Sequence, residues 1–461
     1  MANSGFDARS KSQRVAAFIV DFDLADAPGG LIDMAETAFL DTVGVMLAGS
    51  REPAAEIVCD VIEAEGAAPA ASIVGRSART SPQNAALANG IAAQALDYDL
   101  SFMSGQSAAA IIPGLLPLAE TIDARPDDLM SSFIVGAEVC ARLVRSFPTL
   151  SSEGGWHGAG IIGTITAAAA FAKLTKAPAQ QIPAIIGIAA SMASGLGENF
   201  GTMTKPLHPG LASRSAMMAV FLGARGFTAS ATAIEGSQGF LPVFARGLHW
   251  DSAPFDDLGD TFNLLDPGYK IKPFPCGGLL HTAIEAALHL RDDAQSRIDR
   301  IARIRVGATK HAADRAIDSY PWSEDSARFS LKYLIATALI HGPPLIEAFS
   351  EEAMADEKVR ALAESVEAVV DDQFAGVTGS GYSPARVTIA FEDGEKLEEV
   401  VTHASGSKEA PMSEDAIRQK FFSCATRAVA DGTASEIYSY FRNFRDRENL
   451  ADLWPLLAAG D

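Results

Sequence analysis

Between Gly201 and Arg214 the chain reads Gly-Thr-Met-Thr-Lys-Pro-Leu-His-Pro-Gly-Leu-Ala-Ser-Arg. Lys205 and His208 fall within four residues of each other in a stretch punctuated by proline and glycine, which reads as a loop. Arg214 follows, one or two turns into the next helix. Three cationic or protonatable groups so close together can hold an anion. A solvated basic loop has the same composition, so the setting matters. The chain carries 37 Lys and Arg against 58 Asp and Glu, a net charge of −21. A local reversal of sign in so acidic a protein is what an anionic ligand needs. A second basic, Pro/Gly-stiffened loop runs Tyr-Lys-Ile-Lys-Pro-Phe-Pro-Cys-Gly-Gly from Tyr269 to Gly278, with His281 beyond it. Its Lys270 and Lys272 stand at a change of texture along the chain, where clefts that take small ligands tend to form. Cys276 has no activating partner near it in sequence and reads as a buried structural thiol.

His157 opens the run His-Gly-Ala-Gly-Ile-Ile-Gly. A histidine among glycines at a helix start is expected to be exposed and able to exchange protons near neutral pH. The bland alternative is a cap or a surface histidine. The glycines match G-x-G-x-x-G, but a dinucleotide site needs a strand before them and an acidic residue about 20 positions later. Here a loop precedes, and Ala-Gln-Gln-Ile stands near position 180. Close helix packing explains these glycines better. Asp97 and Asp99 are two residues apart and cannot share one helix face. A loop could present one of them inward, and either could equally cap the next element.

The elements that must position these groups divide into two textures. From about residue 30 to 245 the spacing predicts helix after helix: 31–48, 84–95, 131–147, 163–173, 182–196 and 211–224. Several are rich in Ala, Gly and Ser, which lets helix backbones approach closely. After about residue 270 the runs 298–306, 386–392 and 396–403 alternate as strands do. The last two are joined through Asp393-Gly394, a strong hairpin signal. Segments 330–339 and 351–363 read as helices between them. From Ser413, a candidate N-cap, the chain returns to helix. The expected fold is mainly α with an α+β second domain: residues 1–269 and 405–461 form the helical domain, and 270–404 the α+β domain.

Composition excludes several functions. A charge of −21 argues against nucleic acid and anionic membrane surfaces. Four widely spaced cysteines form no CxxC pair, so neither a disulfide framework nor a zinc site is expected, and a reducing cytoplasmic setting is. The apolar stretches 108–119 and 160–172 fall short of the roughly 18 residues a membrane span requires.

Taken together and in order, these stretches resemble the MmgE/PrpD family. The resemblance runs through DTVGVMLAGS (41–50), NGIAAQALDYD (89–99), GGWHGAGIIG (154–163), NFGTMTKPLHPG (199–210), KPFPCGG with its following His281, ARFSLKY (327–333) and SGYSPARV near 380. It implies a large helical domain built from both chain ends, a smaller α+β domain and a homodimer. It also implies proton chemistry beside a carboxylate with no metal or organic cofactor, as in 2-methylcitrate dehydratases, cis-aconitate decarboxylases and iminodisuccinate epimerases. By position, Asp97, His157, Lys205 and Lys272 match residues lining the family's active site, and Ser101 stands where Thr is common. Three departures are visible. Gln94 replaces a usual histidine, Leu100 replaces a second aspartate, and Gln106 or Ser107 occupies the place of an expected loop histidine. Decarboxylase-type members carry histidine where this chain has Gly277. These losses weigh against cis-aconitate decarboxylation and weaken dehydration.

The expectation is a cofactor-independent acid–base enzyme acting on a small di- or tricarboxylate, a dehydratase-like lyase or an epimerase-like isomerase. His157, Lys205 and Asp97 are its catalytic candidates, and Lys272, Ser101, His208, Arg214 and Gln106 its substrate-binding ones. The alternative is a member that binds a carboxylate metabolite without turnover.

Overall fold

The computed structural model describes residues 10–103, 107–377 and 383–458, so Gln106 lies outside the described residues. The helices that carry the site are α1 (Leu31–Gly49), α2 (Pro82–Ala95), α3 (Ser107–Ile122), α4 (Pro126–Ser146), α5 (Gly158–Leu174), α6 (Ile182–Met192) and α7 (Thr204–Gly223). Near the C-terminus α10 (Glu414–Ala425) and α11 (Asp431–Arg442) pack back on α1. Ser413 caps α10 through its side chain, which accepts from the Ala416 N–H.

Small residues set how closely these helices cross. A Cβ on Gly90 would come within 2.6 Å of the Gly210 Cα, and one on Gly210 within 2.6 Å of the Leu87 carbonyl oxygen. The α2–α7 crossing therefore requires glycine from both sides. In the G-x-G-x-x-G run, a Cβ on Gly160 would meet the Ser194 carbonyl oxygen at 2.2 Å. That glycine serves packing.

One expectation is corrected here. The stretch around Lys205 and His208 is helix, since α7 begins at Thr204. Pro206 sits in its first turn, where no N–H needs an intrahelical partner, and Pro209 removes only the bond that would reach the Lys205 carbonyl. Gly210, which suggested a turn, is the crossing point with α2.

The second part of the chain builds a four-stranded sheet of β1 (Ile301–Ala308), β2 (Val366–Val370), β3 (Ala385–Phe391) and β4 (Lys396–Val401) in the order β2-β1-β3-β4. β1 pairs parallel with β2 (Ile304 opposite Val366) and antiparallel with β3 (Val306 opposite Val387). β3 and β4 form the expected hairpin, Ile389 opposite Leu397, and Gly394 takes φ +87° in its turn. Helices α8 (His281–Gln295) and α9 (Leu331–His341) cover the sheet. The helix expected over 351–363 is broken in two, because the Asp356 side chain accepts from Lys358 and Val359 N–H and starts a new helix. β2 was absent from the sequence reading.

The apolar interior has two large parts and a small third cluster of Val45, Ala48, Leu96, Tyr98, Ile346 and Cys424. One large part joins residues between Val15 and Tyr269 to residues between Ile417 and Leu457. The other lies between Phe274 and Val401. The segment from Tyr269 to Cys276 passes from one to the other and carries Lys272 on the way. Among the described residues, no helix is long and apolar enough to cross a membrane.

Candidate active site

Asp97 follows α2 in a turn with φ +49°, a left-handed conformation that Asp and Asn tolerate better than most residues. Its carboxylate Oδ1 accepts from Lys205 Nζ at 2.9 Å and from Lys272 Nζ at 2.8 Å. Lys272 also donates to the Asp97 carbonyl oxygen at 2.7 Å. All three side chains are buried. One lysine comes from the first turn of α7 and the other from the crossover segment, so the aspartate joins the two parts of the chain. Burial alone would push the Asp97 carboxyl up, but the two lysines outweigh it and hold the group below its ordinary value.

Asp99 is buried too, 3.7 Å from Lys272 Nζ. Burial pushes it up, towards its neutral form. Two ammonium groups converge on the single Asp97 carboxylate oxygen, a local concentration of positive charge that suits an anionic ligand. Gln94 donates from Nε2 to Asp99 Oδ2 at 3.4 Å.

The turn is held from other sides as well. Arg328, buried and stacked 4.6 Å from the Phe349 ring, donates to the carbonyls of Leu96 and Pro275. Lys420 on α10 donates to the Tyr98 carbonyl at 3.0 Å, lies 4.2 Å over the Tyr98 ring, and pairs with Asp41 at 2.6 Å. Ser101 bridges Lys270 backbone to backbone, and its Oγ lies where a side chain on Gly278 would touch it, at 3.3 Å.

His157 is the residue before α5, and its N–H donates to the Gly195 carbonyl. Its Nδ1 lies 2.9 Å from Nδ1 of His208 on α7. One of the two rings must donate this bond from Nδ1–H, and the other must accept. The expected exposure is corrected: His157 is only 3% accessible, with the Gly195 carbonyl, the Phe200 ring and His208, all distant in sequence, against it. Burial, then Lys205 and His208, hold its pKa well below that of a free histidine. His208 is lowered to about 4, by burial and then by Lys205. Both are therefore neutral at pH 7.

Phe200 links these groups. Its ring is edge-to-face with His157 at 5.0 Å and lies 5.7 Å from Lys205 Nζ. Phe329 stacks on it at 5.8 Å and lies 5.3 Å from the same ammonium.

The structure thus brings together Asp97, Lys205, Lys272, His157 and His208, with Ser101 beside them. Arg214 is half-buried on α7, about half a turn around the helix from Lys205 and roughly 13 Å further along it by helical geometry. It is not part of this cluster. Gly277 faces Phe329, at 3.2 Å from a Cβ built there. Cys276 is buried, which pushes its thiol up. Sequence reasoning did not single out Asp41, Phe200, Arg328, Phe329 and Lys420. Asp41, Phe200, Arg328 and Phe329 lie in the quoted stretches DTVGVMLAGS, NFGTMTKPLHPG and ARFSLKY, while Lys420 carries no local signal. Among the described residues, no group of three or more His, Cys, Asp and Glu could hold a metal ion.

Two family models match this chain, the MmgE/PrpD N-terminal domain over residues 13–253 and the MmgE/PrpD C-terminal domain over residues 274–445. The chain belongs to the MmgE/PrpD family. Its mainly helical body and smaller sheet-containing part have the two-domain architecture of that family. The C-terminal model extends through α10 and α11, which pack in the first core. The chain is similar to the cis-aconitate decarboxylase of Mus musculus, 25% identical with 97% of this chain and 93% of that protein covered. It is also similar to a cis-aconitate decarboxylase-like protein of Aspergillus oryzae, 24% identical over 96% of both chains. A mitochondrial 2-methylcitrate dehydratase of Yarrowia lipolytica is 30% identical over 29% of this chain. All carry the names of lyases, which supports reading this chain as a lyase-type enzyme of the family.

Proposed function

We propose that this MmgE/PrpD member is a lyase-type enzyme acting beside a carboxylate of a small di- or tricarboxylate, with His157 as the proton-transfer residue and side chains alone as catalysts. Removing an α-proton, as in an elimination or epimerisation, leaves an electron pair on the carbon next to a carboxylate. Losing CO₂ leaves the same kind of centre, which then takes up a proton. Either way the enzyme must stabilise an enolate-like dianion and move one proton.

The observation that carries this reading is the sharing of Asp97 Oδ1 by Lys205 and Lys272. Two preorganised ammoniums with one carboxylate between them hold charge ready for a substrate anion, and they hold it rigidly. The neutral His157–His208 pair supplies the proton acceptor. A bound polycarboxylate would bring negative charge beside His157 and raise its pKa towards neutrality, which improves it as a base when substrate is present. Asp97 then acts by orienting the two lysines. The names of the relatives lean towards decarboxylation. Gly277 and the altered loop lean away from it, and the proposal rests on the carbanion chemistry common to these reactions. The expected homodimer goes with this proposal.

Proton NMR of 2-methylcitrate, citrate, cis-aconitate and iminodisuccinate with the enzyme in D₂O tests the reading. Deuterium entering next to a carboxylate, or a new product, supports it. Tight binding of these acids without exchange or turnover would instead support a carboxylate-binding protein that has lost catalysis.

A further inference from the structure

Arg315 ends the short helix Lys310–Arg315 that follows β1, so it belongs to the sheet-containing part of the chain. It nevertheless reaches the helical part. Its guanidinium Cζ lies 4.9 Å from the centre of the Phe200 ring, and its Nη2 donates to the Ser151 carbonyl in the loop that leads to His157. Phe200 is the ring that also meets His157 and Lys205. Arg315 is thus a third cation at the candidate site, contributed by the other domain. Nothing in the sequence singled it out.

Its pairing is what makes it informative. Two other partly buried arginines in this chain are matched to acids, Arg145 to Asp257 and Arg386 to Asp371, each at 2.9–3.0 Å. Arg315 has no carboxylate within ion-pair distance among the described residues. The acid next to it, Asp314, is engaged by Lys310 at 2.5 Å. A half-buried guanidinium against an aromatic ring, with one nitrogen used by a carbonyl, keeps other donors for a carboxylate. Lys205 and Lys272 already surround Asp97, where one carboxylate of a substrate would add its charge. The second anionic group of a polycarboxylate needs a separate cation, displaced from the first.

We propose that Arg315 anchors the carboxylate of the substrate that lies farther from the reacting carbon, and so selects polycarboxylates over monocarboxylates. This rests on the carboxylate reading above. It also gives the sheet-containing part of the chain a share in recognition, since a bound polycarboxylate would tie Arg315 to Lys205 past the Phe200 ring that both approach.

Glutarate and its monoamide, glutaramate, have nearly the same shape and differ by one charge, so titration calorimetry with the full-length protein can isolate the anchor. The wild-type protein is expected to bind glutarate roughly tenfold or more tighter than glutaramate. Arg315→Gln keeps a donor for Ser151 but removes the charge, and it should bring that ratio close to one without lowering the melting temperature. Arg315→Lys should restore part of the ratio. A wild-type protein with no preference for glutarate, or an Arg315→Gln variant that keeps the wild-type ratio, overturns the proposal. An equal loss for both ligands overturns it as well, because that is the signature of a displaced loop. Failure of the catalytic reading would look different: the binding ratio would persist while no acid exchanged its α-proton in D₂O.

Discussion

The Nδ1 atoms of His157 and His208 lie 2.9 Å apart, which couples the tautomers of the two rings. If His208 accepts the bond, His157 carries its proton on Nδ1 and offers an Nε2 lone pair as base. When His157 takes a substrate proton, its Nδ1 proton can pass to His208. Replacing His157 with Ala is expected to slow exchange or turnover by about 10²–10⁴-fold. His208→Ala should slow it by at least about tenfold, and His208→Gln, whose side chain can still accept from Nδ1–H, should recover part of the loss. The double variant should be no slower than His157→Ala, because the two act as one unit. Initial rates in D₂O for the four proteins check this, and fully additive losses would contradict the coupling.

The same pair fixes a pH dependence. Both histidines titrate below the ordinary histidine value, His208 at about 4. The neutral forms are therefore present throughout the pH range 6 to 8. The kcat/KM of the free enzyme should be flat on its acid side down to about pH 6 and fall towards pH 4. An acid limb centred at 6.5 or above would rule out the neutral pair. Stability must follow with a definite sign. Below about pH 6.5 the unfolded chain binds protons that the folded histidines refuse, so stability is lost as the pH drops from there through 4. His281, buried and lowered to about 3, adds to the same trend. Thermal melts between pH 8 and 4 measure it.

Asp97→Asn separates charge from shape at the centre of the site. Asparagine tolerates the left-handed backbone of residue 97, so the turn should survive. Lys205 and Lys272, both nearly inaccessible, would lose their shared counterion. Removing one partner from a buried ion pair costs roughly 3–5 kcal/mol. The variant should therefore melt lower, and a dicarboxylate such as succinate should raise its melting temperature more than that of the wild type. Equal ligand shifts in both proteins would count against Lys205 and Lys272 as the anion site.

Much of this organisation was readable in the residues. Helical periodicity located α1, α2, α4, α5, α6 and the later part of α7 because buried faces repeat every three to four residues, while α3, apolar all round, went unread as a helix; Asp393-Gly394 marked the β3–β4 turn because only a few residues accept its backbone. His157, Lys205 and Lys272 stood out because they are cationic or titratable groups among glycines and prolines. The misreadings have physical causes. Gly210 and Pro209 look like a loop to any local rule, yet Gly210 is demanded by a helix 120 residues earlier in the chain. His157 was expected at the surface because nothing local shows that a distant loop covers it. Arg315 and Lys420 act through contacts with Phe200 and Tyr98, far away in sequence, and neither has a partner at helical or strand spacing.

Lys420 illustrates how far such support reaches. It stands on α10, close to the C-terminus, yet its ammonium both neutralises Asp41 on α1 and bonds to the Tyr98 carbonyl beside Asp97. Burial pushes the Asp41 carboxyl up despite this partner, so the pair is costly to break. Lys420→Met leaves Asp41 without its ammonium and is expected to lose roughly 3–5 kcal/mol. Making the aspartate apolar as well, in Asp41→Leu with Lys420→Met, removes the uncompensated charge and should return much of that stability. It cannot return the bond to Tyr98. The double variant should therefore fold well in urea melts but still show lowered kcat in the exchange assay, because the Asp97 turn is less firmly held. If it regains both stability and full activity, Lys420 serves only the core. If stability returns without activity, the C-terminal helix is a working part of the site.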